Sequence, residues 1–412
     1  MTSHRIVTLF GGLAFASMGM NTALVSFALL GMRSEWQLGP TQVSLVIASA
    51  GVGQLVGSLL LGNLSDTLGR KRTYAIGVAL QTGFTGLTGL APSLAAVCTL
   101  LFLAGLGQGG GAPVVTSMVT EAAPTASRGR MVGVTELMFA SGWTIAAFLG
   151  RALAQGASWR LLMGFGGVAV VLVPLGLWLL KEQPPAEPPF ASRASAEKRA
   201  PWSGLATGPA TLWRPALRRQ TGVLWLLWLA VFAAWFGPVL WLPTLFASIG
   251  DPDPAGKGSF VALAMLGGAA LVLLIIDRLG RRPLVIPGLA IMAAACGLLG
   301  AGTSGSWLLV AGLALGLAGQ CIWPVCLTYA AELYPTSVRG LGVGWALGAG
   351  RLGAMLAPLV LGALIATQGQ LVAMLPFAAL TAAAAVVVTL AGPETAGHDF
   401  HAHVQVHAGA VP

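Results

Sequence analysis

An all-α membrane fold, with twelve transmembrane helices in two pseudo-symmetric six-helix bundles and both termini cytoplasmic, is what this sequence predicts. Three observations carry the prediction. Of 412 residues, 56% are hydrophobic and only 8% charged, whereas soluble domains carry roughly 25% charged residues; a mean hydropathy of +0.82 is more than a soluble fold can hide. Apolar stretches of spanning length, about 20 residues, follow one another along the chain. Two polar motifs also recur at one fixed spacing.

The spans fall at approximately 6–30, 42–62, 73–92, 95–121, 131–155, 160–180, 220–247, 258–276, 283–302, 306–332, 340–367 and 371–391. The first is too long for a secretory signal, and no small-residue cleavage site precedes Arg33-Ser34-Glu35, so it is expected to stay in the mature protein. Alternation in ten-residue segments is absent, which argues against a transmembrane barrel. Between the sixth and seventh spans lies a polar stretch with Pro184, Pro185, Pro188 and Pro189. The expected plan is an N-terminal bundle at 1–180, a cytoplasmic linker at 181–219, a C-terminal bundle at 220–391 and a cytoplasmic tail at 392–412.

The net charge of +9 reports topology rather than nucleic-acid binding. Arg5, Arg70, Lys71, Arg72, Arg128, Arg130, Arg278, Arg281, Arg282 and Arg339 fall at one end of the spans, which the positive-inside rule makes cytoplasmic. The other end holds Arg33, Arg160 and Lys257, with acids at Asp251 and Asp253. Cys98, Cys296, Cys321 and Cys326 all lie inside apolar spans, where a thiol packs as a small hydrophobe, so neither a disulfide framework nor a metal site is expected.

Asp66-Thr67-Leu68-Gly69-Arg70-Lys71-Arg72 returns as Asp277-Arg278-Leu279-Gly280-Arg281-Arg282, an offset of 211 (277 minus 66). Glu121-Ala122-Ala123-Pro124-Thr125-Ala126-Ser127-Arg128 returns as Glu332-Leu333-Tyr334-Pro335-Thr336-Ser337-Val338-Arg339, again at 211 (332 minus 121). Two motifs at one offset indicate duplication. Gly69 and Gly280 permit tight turns between helices, and the acids and arginines are able to pair. Asp66, Arg70, Arg72, Glu121 and Arg128 with Asp277, Arg281, Glu332 and Arg339 are therefore expected to form a cytoplasmic gate; charges merely obeying topology are the alternative. Repeated halves with a solute site between them suit alternating access.

The stretch Gly62-Asn63-Leu64-Ser65-Asp66-Thr67-Leu68-Gly69-Arg70-Lys71-Arg72, with its second copy, resembles the loop between helices two and three of the major facilitator superfamily, and the resemblance covers the whole chain. It implies a carrier whose first, fourth, seventh and tenth helices line a central cavity.

Polar residues at mid-membrane are costly and tend to mark function. At 1.5 Å rise per residue, the midplane lies about ten residues into a span. Asn21, Gln108, Gln320 and Arg351 meet that test, and Trp235 sits at comparable depth. Arg351 offers a fixed fork that matches a carboxylate; the alternative is a structural arginine bonded to backbone carbonyls or to an acid. Trp228, Phe232 and Trp235 form an aromatic stripe suited either to stacking on a planar ring or to packing. Trp225 and Trp241 lie near span ends, an ordinary interfacial position. Glu136, about six residues into its span, is the other deep acid, a proton-coupling candidate or a static partner.

Glu332 through Gly353, including Gly342, Gly344, Trp345, Gly348, Gly350 and Arg351, looks like aromatic-acid and nicotinate-type proton symporters. That resemblance implies that Arg351 contacts a substrate carboxylate. Two departures stand out. Asn21 occupies the position where those symporters carry an acid, and Leu101 stands where they carry an arginine.

Pro393-Glu394-Thr395-Ala396-Gly397 looks like the ending of sugar porters, but the seventh span lacks their paired glutamines. His398, His401, His403 and His407 read as a solvated tail rather than a metal site. Gly105-Leu106-Gly107-Gln108-Gly109-Gly110-Gly111 interrupts a hydrophobic helix and is expected to serve close helix packing, not a dinucleotide. No nucleophile with its base is visible, so an enzyme is not expected.

The expectation is a secondary active transporter of a small organic anion, an aromatic or related carboxylate, working as a monomer in the cytoplasmic (inner) membrane. It needs no cofactor, has no nucleic-acid partner and uses the proton gradient as driving force. A sugar or neutral-metabolite carrier, a xenobiotic exporter and a non-transporting sensor are the alternatives; counterflow of labelled solute separates carrier from sensor.

Overall fold

The computed structural model describes residues 3–122, 128–153, 158–180, 210–302, 304–335 and 338–395, apart from the side chains at 3–4, 62–67, 120–122, 128–130, 132 and 277. Among these residues the chain is helical, with short turns and no strand. The helices are α1 (Ser3–Trp36), α2 (Pro40–Leu68), α3 (Arg70–Thr88), α4 (Leu94–Ala122), α5 (Arg128–Leu153), α6 (Trp159–Phe165), α7 (Leu172–Leu179), α8 (Arg218–Ala234), α9 (Leu240–Ser248), α10 (Pro254–Leu279), α11 (Arg282–Ala301), α12 (Gly305–Leu333) and α13 (Arg339–Ala391). By length and composition, nine helical stretches among the described residues can cross a membrane. Neither α3 nor α5 is among them; α3 turns polar Thr82, Thr85 and Gln81 inward, and α5 does the same with Glu136 and Thr144.

Two spans differ in detail from the continuous helices the hydropathy predicts. The sixth is two short helices, α6 and α7, joined by a 3-10 turn at Val168–Val171, next to the flexible pair Gly166 and Gly167. The seventh carries a π-helical turn at Trp235–Val239 between α8 and α9, with Pro238 inside it. Proline has no N–H to donate and disrupts the regular ladder, and such π turns gather at functional sites. The α13 run is broken at Gly369, whose φ of 81° and ψ of 176° are non-helical, in the gap between the stretches 340–367 and 371–391.

The duplication is visible in backbone geometry. Gly69, between α2 and α3, has φ 86° and ψ 157°, and Gly280, between α10 and α11, has φ 83° and ψ −177°. Both lie in a region that essentially only glycine enters. The two motif turns are thus the same turn, made twice.

The glycines of α4 serve close packing. A Cβ on Gly105 would stand 2.3 Å from the carbonyl oxygen of Ala50, and one on Gly109 would stand 2.0 Å from that of Gln54. These approaches bring α4 against α2 with backbone touching backbone, the small-residue mode of membrane helices. Helices on either side of the 181–219 segment meet along α5 with α10, α2 with α13, and α1 with α9.

Candidate functional site

A cavity of about 90 Å³ lies where these contacts converge. Its polar wall is Gln54 of α2, Gln108 of α4, Glu136 of α5, Gln320 of α12 and Arg351 of α13; its aromatic wall includes Phe139, Phe232, Trp235, Phe236 and Trp323. The fold therefore gathers Gln108, Phe232, Trp235, Gln320, Arg351 and Glu136, six residues that depth and type single out in the sequence. Asn21 borders a smaller adjoining cavity. Trp228 stands behind the wall, fully buried, its ring 5.6 Å from Phe232 and 5.4 Å from Trp323.

Arg351 crosses from α13 to the opposing helices. Its Nη1 donates to the Gln54 carbonyl at 3.4 Å and its Nη2 to the Gly109 carbonyl at 3.1 Å. The Gln54 carbonyl keeps a second lone pair after its intrahelical bond, and the Gly109 carbonyl faces Pro113 four residues on, which has no N–H to give it, so both acceptors are available without unwinding α2 or α4. A guanidinium has five N–H donors; two are engaged here and three remain. The arginine is only 9% exposed, so its donors meet little competing water.

The aromatic wall is a connected set of rings. Phe232 stands 4.8 Å from Trp323 and stacks on Phe236 at 5.6 Å, while Trp235 meets Trp143 edge to face at 6.0 Å. Trp235 and Phe236, adjacent in sequence, both reach the cavity from the π turn. Offset and edge contacts of this kind are the favourable ones between π systems.

Beyond the cavity, at the end away from the motif turns, polar contacts bind the two sides together. Ser26 donates to the Leu240 carbonyl at 2.6 Å, Ser259 to Ala147 at 3.0 Å and Thr144 to Ala262 at 3.1 Å. Arg151, on the last turn of α5, pairs with Asp253 at 3.1 Å, and Asp253 also caps α10 by accepting from the Gly256 amide. Burial alone would raise the carboxyl of nearby Asp251; hydrogen bonds from Lys257 and the Asp253 amide outweigh it and hold the group below the ordinary carboxylate range. On the same end, Arg160 grips Glu35 through both carboxylate oxygens and lies over the Trp159 ring at 4.4 Å.

At the motif end, Arg281 makes a two-point bond to Glu332, Nη2 to Oε1 at 2.8 Å and Nε to Oε2 at 3.2 Å. Glu394 accepts from the amides of Arg281 and Arg282 at 3.0 and 2.9 Å, placing a carboxylate on the N-terminus of α11 where the helix dipole favours it. Thr395 donates to Glu332. The network ties α11, α12 and the end of α13 to one another, so its described part lies wholly within the region after residue 219. Arg339 donates to the Tyr334 carbonyl at 3.4 Å. The side chains of Asp66, Glu121, Arg128 and Asp277, named as gate candidates, lie outside the described residues, as does the histidine tail.

Several site residues escape the sequence reading, Phe139 and Phe236 of the aromatic wall among them. Gln54 satisfies the same depth test, twelve residues into its span, but lies on a helix that the resemblance does not place at the cavity. Trp323 follows Gln320 by three positions, one helical turn, and so shares its face. Glu394 and Thr395 sit in the sugar-porter-like ending, whose role as a cap on α11 is set only by the return of the chain.

The family model of the Major Facilitator Superfamily matches residues 9–276 and 258–412. Among curated proteins, the chain is 26% identical to the niacin transporter of Acinetobacter baylyi, over 94% of this chain and 93% of that one. It is 29% identical to the gallate transporter of Pseudomonas putida, covering 90% and 88%, and 27% identical to the 4-hydroxybenzoate transporter of Pseudomonas putida, covering 82% and 81%. Among solved structures, the E. coli xylose transporter XylE in a partially occluded inward-open conformation matches with a TM-score of 0.77 and 19% identity, covering 97% of this chain and 100% of the other, a likeness of fold.

Proposed function

The chain belongs to the major facilitator superfamily, a multi-pass membrane carrier rather than an enzyme, and on that footing we propose that it moves a small aromatic or heteroaromatic carboxylate across the inner membrane. The observation that carries the reading is Arg351: a buried cation with three uncommitted N–H donors, facing a cavity walled by Phe232, Trp235, Phe236 and Trp323. A carboxylate compensates the cation, and the rings receive a planar body. Relatives named for niacin, gallate and 4-hydroxybenzoate support the same class.

In this reading the chain makes twelve crossings, counting α6 with α7 and α8 with α9 as one each and the two arms of α13 separately. The halves are 1–180 and 220–391, joined by a cytoplasmic linker, with the motif end and both termini inside. Access alternates as the halves rock. The contacts at Arg151, Ser26, Thr144 and Ser259 close the outer end, and the network around Arg281 and Glu332 stiffens the inner end. Asp66, Arg70, Arg72, Glu121, Arg128, Asp277 and Arg339 complete the proposed inner gate. Glu136, the acid of the cavity wall, is the proposed proton carrier, and the proton gradient drives uptake without a cofactor.

Uptake of labelled nicotinate and benzoate into proteoliposomes, with and without an imposed pH gradient, tests the proposal. Accumulation that follows the gradient is expected, and Glu136→Gln abolishes its uphill component while leaving counterflow. Failure of both acids to enter, or to compete with each other, overturns the substrate class; gradient-driven accumulation that survives Glu136→Gln overturns the coupling role.

A further inference from the structure

The cavity around Arg351 has a side chamber. A second space, of about 30 Å³, shares Gln54, Gln108 and Phe236 with the first, so the two adjoin. Its polar wall comes from four helices: Asn21 and Thr22 on α1, Gln54 on α2, Thr85 on α3 and Gln108 on α4. No charged residue lines it, which separates its chemistry from that of the Arg351 and Glu136 wall.

Most of these polar groups already serve one another. The Thr22 hydroxyl donates to the Met18 carbonyl and accepts from Gln108 Nε2 at 2.8 Å. Gln54 Nε2 donates to Gln108 Oε1 at 3.5 Å, and the Thr85 hydroxyl donates to the Gln81 carbonyl at 2.7 Å. Asn21 is the exception. It is 3% exposed, and neither its amide nitrogen nor its amide oxygen has a hydrogen-bond partner. An amide carries two donors and an acceptor with two lone pairs, and leaving such a group buried and unmet is costly. Asn21 Oδ1 and Thr85 Cγ2 both lie beside Gly166, where an added Cβ would fall 3.0 Å from the first and 2.5 Å from the second.

The size of the chamber limits its occupant. A space needs about 10–15 Å³ for one water, so 30 Å³ admits a hydroxyl or the apex of a ring but not a ring. An uncharged wall with an unmet donor and an unmet acceptor matches a neutral polar atom able to accept, donate or do both.

We propose that this chamber is a specificity pocket, in which Asn21 reads a hydroxyl group or heterocyclic nitrogen on the substrate ring, at a position away from the carboxylate held by Arg351. The assignment rests on the carboxylate reading of the main cavity. It explains why a midplane asparagine is retained with no protein partner: the substrate supplies the partner. It also divides recognition between two places, charge at Arg351 and ring polarity at Asn21, with Phe236 common to both cavities.

The test is a ratio of affinities measured on the purified full-length carrier by calorimetric titration at neutral pH. Benzoate, 3-hydroxybenzoate, 4-hydroxybenzoate and nicotinate are the ligands. At least one polar-ring acid is expected to bind about tenfold more tightly than benzoate, the scale of one buried hydrogen bond. Asn21→Leu, with the same branching but no amide, brings that ratio close to one. Thr85→Val, isosteric and on the facing wall, lowers it by about threefold and serves as the readout where Asn21→Leu does not fold. A ratio close to one in the parent protein, or a ratio unchanged by both substitutions, means that the chamber holds water only and overturns the proposal while leaving the carboxylate reading intact. Absence of binding by all four acids overturns both.

Discussion

Replacing Arg351 with lysine keeps the positive charge and removes the fork, and the geometry fixes what that should cost. Two of the five guanidinium donors are spent on the carbonyls of Gln54 and Gly109, leaving three, enough for a two-point grip on a carboxylate. An ammonium has three donors; holding the same two carbonyls leaves one. Arg351→Lys therefore forfeits one charge-assisted hydrogen bond to the substrate, worth about 1.5–3 kcal/mol, or roughly 10- to 150-fold in Kd. The fold should tolerate the change, because the Gln54 carbonyl keeps its intrahelical bond and the ammonium still serves the Gly109 carbonyl, which Pro113 leaves without an intrahelical N–H. The assay is titration of nicotinate or benzoate into purified protein, following quenching of the cavity tryptophans Trp235 and Trp323, with the neutral benzamide as reference. Benzamide lacks the carboxylate and should show a much smaller change. An Arg351→Lys protein that melts normally and binds the acids within twofold of the parent would refute the reasoning.

Two further outcomes follow from the turns and the outer contacts. Gly280→Ala forces a side chain into a backbone region essentially reserved for glycine, so thermal unfolding should show a loss of about 1–3 kcal/mol; Gly267→Ala, at a helical position with nothing within 4 Å, should be neutral or stabilising, and equal melting of the two variants would count against the strain. Arg151→Met removes an ion pair whose side chains are 45% and 48% exposed, so the expected effect is only about 0.2–1 kcal/mol. That corresponds to a roughly 1.4- to 5-fold faster labelling of an Ala147→Cys probe by a membrane-impermeant thiol reagent, and an unchanged rate would remove the pair from the outer closure.

Much of the architecture is legible in the chain because membranes impose simple demands. Runs of apolar residues must be long enough to span, and Gly69 and Gly280 recur at a common offset because both turns need the same positive φ. The breaks are less legible. Pro238 signals a disturbance in the seventh span, but whether it gives a kink or the π turn that aims Trp235 and Phe236 depends on what packs against it, including Phe377 and Ala357 on Gly237.

The site divides in the same way. Arg351 and Gln320 stand out by depth, since a polar group at midplane is rare enough to be noticed. Gln54 is equally deep and hidden only by the choice of helices. Cross-contacts such as Ser26 with Leu240 or Thr144 with Ala262 have no periodicity to reveal them, because serine and threonine in membrane helices ordinarily bond to a carbonyl of their own helix. Glu394 is conspicuous as a motif, yet its service to the amides of Arg281 and Arg282 depends on where the last helix ends.

The seat of Arg351 has a consequence for how this carrier can vary over generations. Its two acceptors are peptide oxygens, which every residue possesses, so seating the arginine requires no polar side chain on α2 or α4. Glycine is needed at 105 and 109, since a Cβ would stand 2.3 Å from the Ala50 carbonyl or 2.0 Å from the Gln54 carbonyl and pry the two helices apart. A search for residues that change in step with Arg351 would accordingly return no acidic companion, only glycines held constant on another helix. The most important electrostatic contact in the chain would pass through such a comparison as packing.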